Sequence, residues 1–177
     1  MMTENTRVTL ARRPDSVATP DCFSLETEEL SPLEPGQVRV GVEYISVDAG
    51  TRTMLEGSGF HQQVNVGDTI LAGGVGRVVE TADSNLAVGQ AVRGGLGAQT
   101  IATVRSGELE AIDDAIAPPS AWLGVLGGST GVTAWIGVRR VAQPKPGDVF
   151  VVSAAAGAVG SIAGQIAKRD GATVIGI

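Results

Sequence analysis

A single cysteine, Cys22, and a single histidine, His61, are all that the 177 residues offer for soft metal coordination. A structural zinc takes about four Cys or His ligands and a catalytic zinc about three protein ligands, so neither fits unless carboxylates supply nearly every ligand. One cysteine also excludes an internal disulfide, and Cys22 reads as a small apolar filler rather than a nucleophile. His61, within Gly59-Phe-His-Gln-Gln63, reads as a surface-loop residue rather than a base. No uninterrupted apolar run reaches the roughly 18 residues of a membrane helix, and Met1 to Arg13 is too polar for a signal peptide. No membrane partner and a cytoplasmic address are therefore expected. A net charge of −6 leaves no basic stripe to displace counterions, which argues against nucleic acid as a partner. The densest acidic stretch, Glu26 to Glu34, reads as a solvated connection. With 43% apolar and 18% charged residues, the chain can bury a core and build one domain or one and a fraction.

Four times a glycine precedes a polar residue and a β-rich run: Pro35-Gly-Gln-Val-Arg-Val40, Val66-Gly-Asp-Thr-Ile70, Val88-Gly-Gln-Ala-Val92 and Pro146-Gly-Asp-Val-Phe-Val151. Each predicts a tight turn entering a strand. Short strands are expected at 8–10, 23–27, 38–47, 69–71, 77–81, 91–93, 99–104 and 109–112. Val38, Val40 and Val42 alternate with Arg39, Gly41 and Glu43, the pattern of a strand with one wet face. So many short strands point to a barrel or sandwich. From Pro118 the texture changes. Ser120 caps an expected helix through Leu126, and a second helix over Gly131 to Val141 stacks Val132, Trp135, Ile136 and Val138. The predicted division is a β domain over 1–120 and an α/β domain over 121–177, with Gly127-Gly-Ser-Thr-Gly131 as a flexible step.

Val149-Phe-Val-Val-Ser153, the run Ala154-Ala-Ala-Gly157-Ala-Val-Gly160, and Ser161 to Ile177 predict strand, glycine turn, helix and strand. The helix carries Val159, Ile162, Ala163, Ile166 and Ala167 on one stripe, Lys168 and Arg169 in its last turn, and Gly171 at its end. Thr173 to Ile177 is short and apolar enough for a buried parallel strand. Such a βαβ unit offers the helix N-terminus to a pyrophosphate. The strict glycine fingerprint has Gly where Ala155 stands, so the motif taken alone is weak.

Tyr44-Ile-Ser-Val-Asp48, Arg52, Gly73-Gly-Val-Gly-Arg-Val-Val-Glu80, Leu123-Gly-Val-Leu-Gly127 with Gly131-Val-Thr-Ala-Trp135, Gln143-Pro-Lys-Pro-Gly147 and Val151 to Gly160 occur together and in order. This set resembles the zinc-independent medium-chain dehydrogenase/reductases, in the branch of prostaglandin reductases, leukotriene 12-hydroxydehydrogenases and alkenal double-bond reductases. The resemblance implies a GroES-like β barrel followed by an α/β Rossmann domain, of which only the first βαβ unit is present. It implies NADPH-dependent reduction of the carbon–carbon double bond of an enone or enal, with hydride added to the β-carbon and a proton to the α-carbon, and no metal. It places Asp48, Gly50 and Arg52 at the substrate pocket, and Thr130, Thr133, Ala155, Gly157, Ala158, Val159 and Gly160 at NADP. No catalytic residue is assigned, and the full-length protein is expected to be a homodimer.

Departures from the family pattern carry their own expectations. Asp48-Ala-Gly-Thr-Arg52 replaces Asp-Pro-Tyr-Met-Arg, so a larger pocket is expected where Gly50 removes a ring. The Gly127 to Gly131 turn is one residue longer than the family's. Residues that read the adenosine 2′-phosphate follow the second Rossmann strand in the family, so NADPH over NADH comes from the resemblance. The chain is expected to be a piece of a longer reductase, with residues 1–177 alone unable to turn over an enone. Two alternatives stand beside this reading: a quinone reductase of the same superfamily, and a catalytically silent barrel that serves as a binding module.

Overall fold

Alternation along the first two strands decides their pairing. β1 (Glu4–Leu10) and β2 (Phe23–Glu29) run antiparallel with Arg7 opposite Glu26. Arg7 reaches Glu26 at 3.0 Å and Glu28 at 3.4 Å. Four of the nine residues of the acidic stretch expected to be a connection, 26–29, are therefore strand, with Glu26 opposite Arg7 in the ladder and Glu28 within its reach. The computed structural model describes residues 4–57, 59 and 62–177, so His61 lies outside the described residues.

Five further strands form an antiparallel sheet in the order β6-β3-β4-β5-β7. They are β3 (Gln37–Ile45), β4 (Gly73–Thr81), β5 (Ala91–Gly95), β6 (Ile101–Arg105) and β7 (Glu110–Ala111). The helix α1 (Ala49–Met54) lies between β3 and β4 in sequence. β1 closes against the chain just before β6: the Val8 N–H donates to the Ala98 carbonyl at 2.8 Å, and the Thr100 N–H to the Thr6 carbonyl at 2.9 Å. Buried Asn5 fastens this seam, accepting from the Ile101 N–H at 3.0 Å and donating to Gln99 Oε1 at 2.8 Å. The result is a barrel-like unit around Val38, Val40, Val78, Val92 and Leu96, all buried. Each such side chain contributes about 1.5–3 kcal/mol on removal from water.

The four glycine turns have one geometry. Gly36, Gly67, Gly89 and Gly147 take φ of +81°, +91°, +88° and +90°, and in each the following residue's N–H returns to the carbonyl three before it. A left-handed third residue is what this turn demands, and glycine meets it without strain.

Several expectations change. Residues 69–71 form no strand; Thr69 makes one isolated bridge to Thr9. β4 begins at Gly73, four residues earlier than predicted. Arg39 is not on a wet face: it is 5% exposed, paired with Glu80 and donating to the Ser31 carbonyl. Glu80, its neighbour across the ladder, supplies the counter-charge that permits burial.

The first compact unit ends at Pro119 and the second spans Ser120–Ile177. A single 3-10 turn, Pro119–Trp122, spans this boundary in place of the helix expected through Leu126. The glycine step after it is packed at its two ends, Gly127 and Gly131, while Gly128 and Ser129 between them are exposed. A Cβ on buried Gly131 would lie 1.9 Å from the Val125 carbonyl, and the Gly127 N–H donates to Gly124 at 2.9 Å. α2 (Thr130–Ile136) passes into one π turn, Gly137–Ala142, and stops at Gln143, where φ is +46°. Its buried stripe is Gly131, Ala134 and Val138, whereas Val132, Trp135 and Ile136 are about half exposed. Small residues win because the partner helix α3 (Ala158–Arg169) presents Ala163 and Ala167, and two alanine faces pack closely.

β8 (Val149–Val152) and β9 (Thr173–Gly176) pair in parallel, Val149 opposite Thr173 through Val152 opposite Gly176. Phe150, Val152 and Val174 pack with the α3 cluster. On the other face of these strands Val149, Val151 and Ile175 are exposed. Among the described residues, no helix is long and apolar enough to cross a membrane.

Candidate functional site

The turn from β8 into α3 is built around one carbonyl. Ala154, a non-glycine residue with φ of +49°, turns its oxygen inward, where it accepts from the Gly157 N–H at 2.8 Å. Holding a β-carbon in the left-handed region costs about 1–3 kcal/mol, a strain that collects at ligand-binding turns. Gly160 is required by the same oxygen: a Cβ there would lie 2.3 Å from it and 2.9 Å from its carbonyl carbon. Gly160 therefore serves the turn's own backbone before it serves any ligand. Gly157 is the helix N-cap in extended conformation, with no side chain to cap the helix.

The N–H groups of Ala158, Val159 and Gly160 consequently have no hydrogen-bond partner among the described residues. They sit at the positive end of a 12-residue helix. No carboxylate lies between Ser153 and Ser161 to oppose an anion. Ala155 differs: its N–H donates to the Ile177 carbonyl at 3.2 Å, so it is held by the structure. Its methyl lies 2.6 Å from where a Cβ on Gly176 would stand. The departure from the fingerprint at Ala155 is thus accommodated by a glycine on the neighbouring strand, a partner 21 residues away in sequence that no local pattern reveals. Thr130 is the first residue of α2 and half-buried, and Thr133 follows it on an exposed face.

In the first unit, Asp48 caps α1, its Oδ1 accepting from the N–H of Gly50 at 2.8 Å and of Thr51 at 3.3 Å. A hollow of about 260 Å³ opens beside this cap, lined by Asp48, Thr51 and Met54 together with Leu71, Gly73 and Gly95. Gly50 and Arg52 are not among its described lining residues. A side chain on Gly50 would begin 2.9 Å from Asp48 Oδ1. Arg52 is occupied elsewhere, bonding Glu56 at 3.2 Å and the Ser16 carbonyl, which ties the 11–19 loop to α1. The Thr51 hydroxyl, by contrast, has no partner among the described residues. Sequence reasoning missed Thr51, Gly73 and Gly95; the Gly73-Gly74 and Gly94-Gly95 doublets inside strand sequence were the available signal. No group of three or more His, Cys, Asp or Glu able to hold a metal occurs among the described residues.

Residues 6–112 match the family described as the N-terminal domain of oxidoreductase. The NADPH-dependent curcumin reductase of Escherichia coli is 36% identical over 174 residues, covering 98% of this chain and 50% of that one. Prostaglandin reductase 1 of Bos taurus is 37% identical over 158 residues, covering 87% and 46%. The crystal structures of CurA from Vibrio vulnificus, alone and in complex with NADPH, superimpose with TM-scores of 0.81 and 0.80 at 33% and 31% identity. Each covers 97% of this chain and 51% of that one. The chain spans about half the length of the curated relatives it matches. With barrel-like unit, parallel βαβ unit and family match in agreement, the chain belongs to the zinc-independent medium-chain dehydrogenase/reductase superfamily.

Proposed function

We propose that the protein is an NADPH-dependent reductase of the conjugated carbon–carbon double bond of enones or enals. The observation that carries the reading is the trio of N–H groups at Ala158, Val159 and Gly160 at the N-terminus of α3, without a partner among the described residues. They fit a pyrophosphate, because main-chain donors, a positive dipole end and side chains no larger than valine allow two phosphates to approach. NADPH is favoured by the relatives that carry it in their names. A bound nicotinamide supplies the hydride. The protein's own work is binding and orientation: the turn holds the phosphates, and the hollow beside α1 takes the conjugated carbonyl compound. The Thr51 hydroxyl, with no partner among the described residues, can donate to the carbonyl oxygen on which negative charge develops. Met54 and Leu71 keep that part of the hollow apolar, which strengthens such a bond.

Two measurements test this. Titration of the chain with NADPH, NADH and inorganic pyrophosphate should show NADPH binding that pyrophosphate competes away, with amide NMR shifts centred on Ala158 to Gly160. Full-length protein should then consume NADPH with enals and enones in preference to quinones. Absence of NADPH binding defeats the cofactor assignment; turnover of quinones alone defeats the enone assignment.

A further inference from the structure

Seven glycines lie inside β-strands: Gly41, Gly73, Gly74, Gly76, Gly94, Gly95 and Gly176. None has a positive φ, so backbone conformation does not demand glycine at any of them. Five are explained by packing, because a Cβ would meet a neighbour at 3.1 Å or closer. Gly41 faces Val79 at 3.1 Å, Gly74 faces Leu96 at 3.0 Å, Gly76 faces the Gly41 carbonyl at 2.2 Å, Gly94 faces Leu109 at 2.7 Å, and Gly176 faces Ala155 at 2.6 Å. Gly73 and Gly95 are different. Nothing among the described residues lies within 4 Å of the Cβ that either lacks.

These two are also direct partners in the ladder between β4 and β5, and both line the hollow beside α1. Opposed residues of an antiparallel pair project to the same face with their Cβ positions about 4.5–5.5 Å apart. The next pair, Gly74 and Gly94, projects to the other face, and there the space is filled by Leu96 and Leu109. One glycine pair thus admits core side chains. The other leaves bare backbone facing the hollow, although glycine in a strand costs about 0.5–1 kcal/mol relative to alanine. A strand glycine with no internal reason to be one marks a place where another body approaches the backbone.

We propose that Gly73 and Gly95 form a side-chain-free floor that sets the shape of the hollow and admits a flat, ring-bearing conjugated carbonyl compound. The inference rests on the reading of this hollow as the substrate side of a reductase. Bare peptide planes present a flat surface about two residues wide, suited to the face of a planar ring and wasted on a thin acyclic chain. A volume of about 260 Å³ exceeds the roughly 150 Å³ that holds a benzene ring, leaving room for an enone arm. Thr51 and Asp48 supply polar atoms at the same hollow, and Met54 and Leu71 supply apolar contact.

The test uses the chain without cofactor, so that its outcome is independent of NADPH. Binding of benzylideneacetone, whose ring and enone are coplanar, and of straight-chain hexenone is measured by ligand-observed NMR for the wild type, Gly73→Val and Gly95→Val. Both substitutions place a strand-favouring side chain where no described residue lies within 4 Å of its Cβ, so melting temperatures should hold or rise. Wild type should prefer benzylideneacetone, and each variant should weaken it by about tenfold or more while leaving hexenone unchanged, the scale on which pockets discriminate one methylene. The proposal is overturned if folded variants keep wild-type affinity for benzylideneacetone, if both ligands weaken equally, or if the wild type binds neither or prefers hexenone. Failure of the reductase reading would appear separately, as absent NADPH binding or consumption.

Discussion

Replacing Ala158 by proline deletes one backbone donor at the helix N-terminus and should change little else. Ala158 is the first residue of α3, and its N–H has no partner among the described residues, so no internal hydrogen bond is lost. Proline is well tolerated at this position because its φ is already helical. The residue before a proline must be extended, and Gly157 already has φ −76° and ψ 170°. A hydrogen bond to a charged group contributes about 1.5–3 kcal/mol, which corresponds to roughly a 10- to 150-fold weaker affinity for NADPH. Ala158→Gly, which keeps the N–H, serves as the control and should bind nearly as the wild type does. Calorimetric titration gives the affinities, and a thermal melt of each variant confirms an intact fold. A folded Ala158→Pro protein with wild-type affinity would refute the phosphate cradle. Gly160→Val is a poorer test, because its Cβ would strike the Ala154 carbonyl and loss of binding would report a broken turn.

Gly176→Ala should destabilise the second unit by about 1–3 kcal/mol, since its methyl would meet Ala155 at 2.6 Å. Ala155→Gly in the same chain should recover most of that, so a denaturation cycle with no coupling between the two positions would contradict the contact. Asp48→Ala removes the α1 cap and should cost about 1 kcal/mol, a fall of roughly 2–4 °C in Tm, whereas Asp48→Asn should retain the wild-type melt. The Ser106 hydroxyl at 2.6 Å and the Asn85 N–H at 2.7 Å hold the Asp83 carboxyl below its ordinary 3.8. A lowered carboxylate contributes stability that is present above 3.8 and lost as pH falls through the folded value. Ser106→Ala should therefore flatten the acid limb of a Tm-against-pH curve, and an unchanged limb would count against this bond. Dialysis of full-length protein against a chelator should leave its activity intact; a stoichiometric, tightly held zinc would contradict the zinc-independent assignment.

What the sequence could reveal by itself was local. The four turns at Gly36, Gly67, Gly89 and Gly147 are legible because a left-handed φ is a property of one residue and its immediate neighbours. The α3 stripe, its basic last turn and its stop at Gly171, where φ is +90°, follow from a period of 3.6 residues and the chemistry of a helix end. Tertiary structure decided what depends on partners far along the chain. Arg39 is buried because Glu80 lies across the ladder, although its alternation with valines pointed to solvent. α2 buries Ala134 and Val138 rather than Trp135 because α3 presents Ala163 and Ala167 there, whereas Gly131 is buried against the Val125 carbonyl. Ala155 can stand in a glycine position because Gly176 vacates the space beside it. Gly73 and Gly74 are adjacent and identical in sequence, yet one faces the hollow and the other faces Leu96. Successive residues of a strand project to opposite faces, and only the packed fold determines what stands on each.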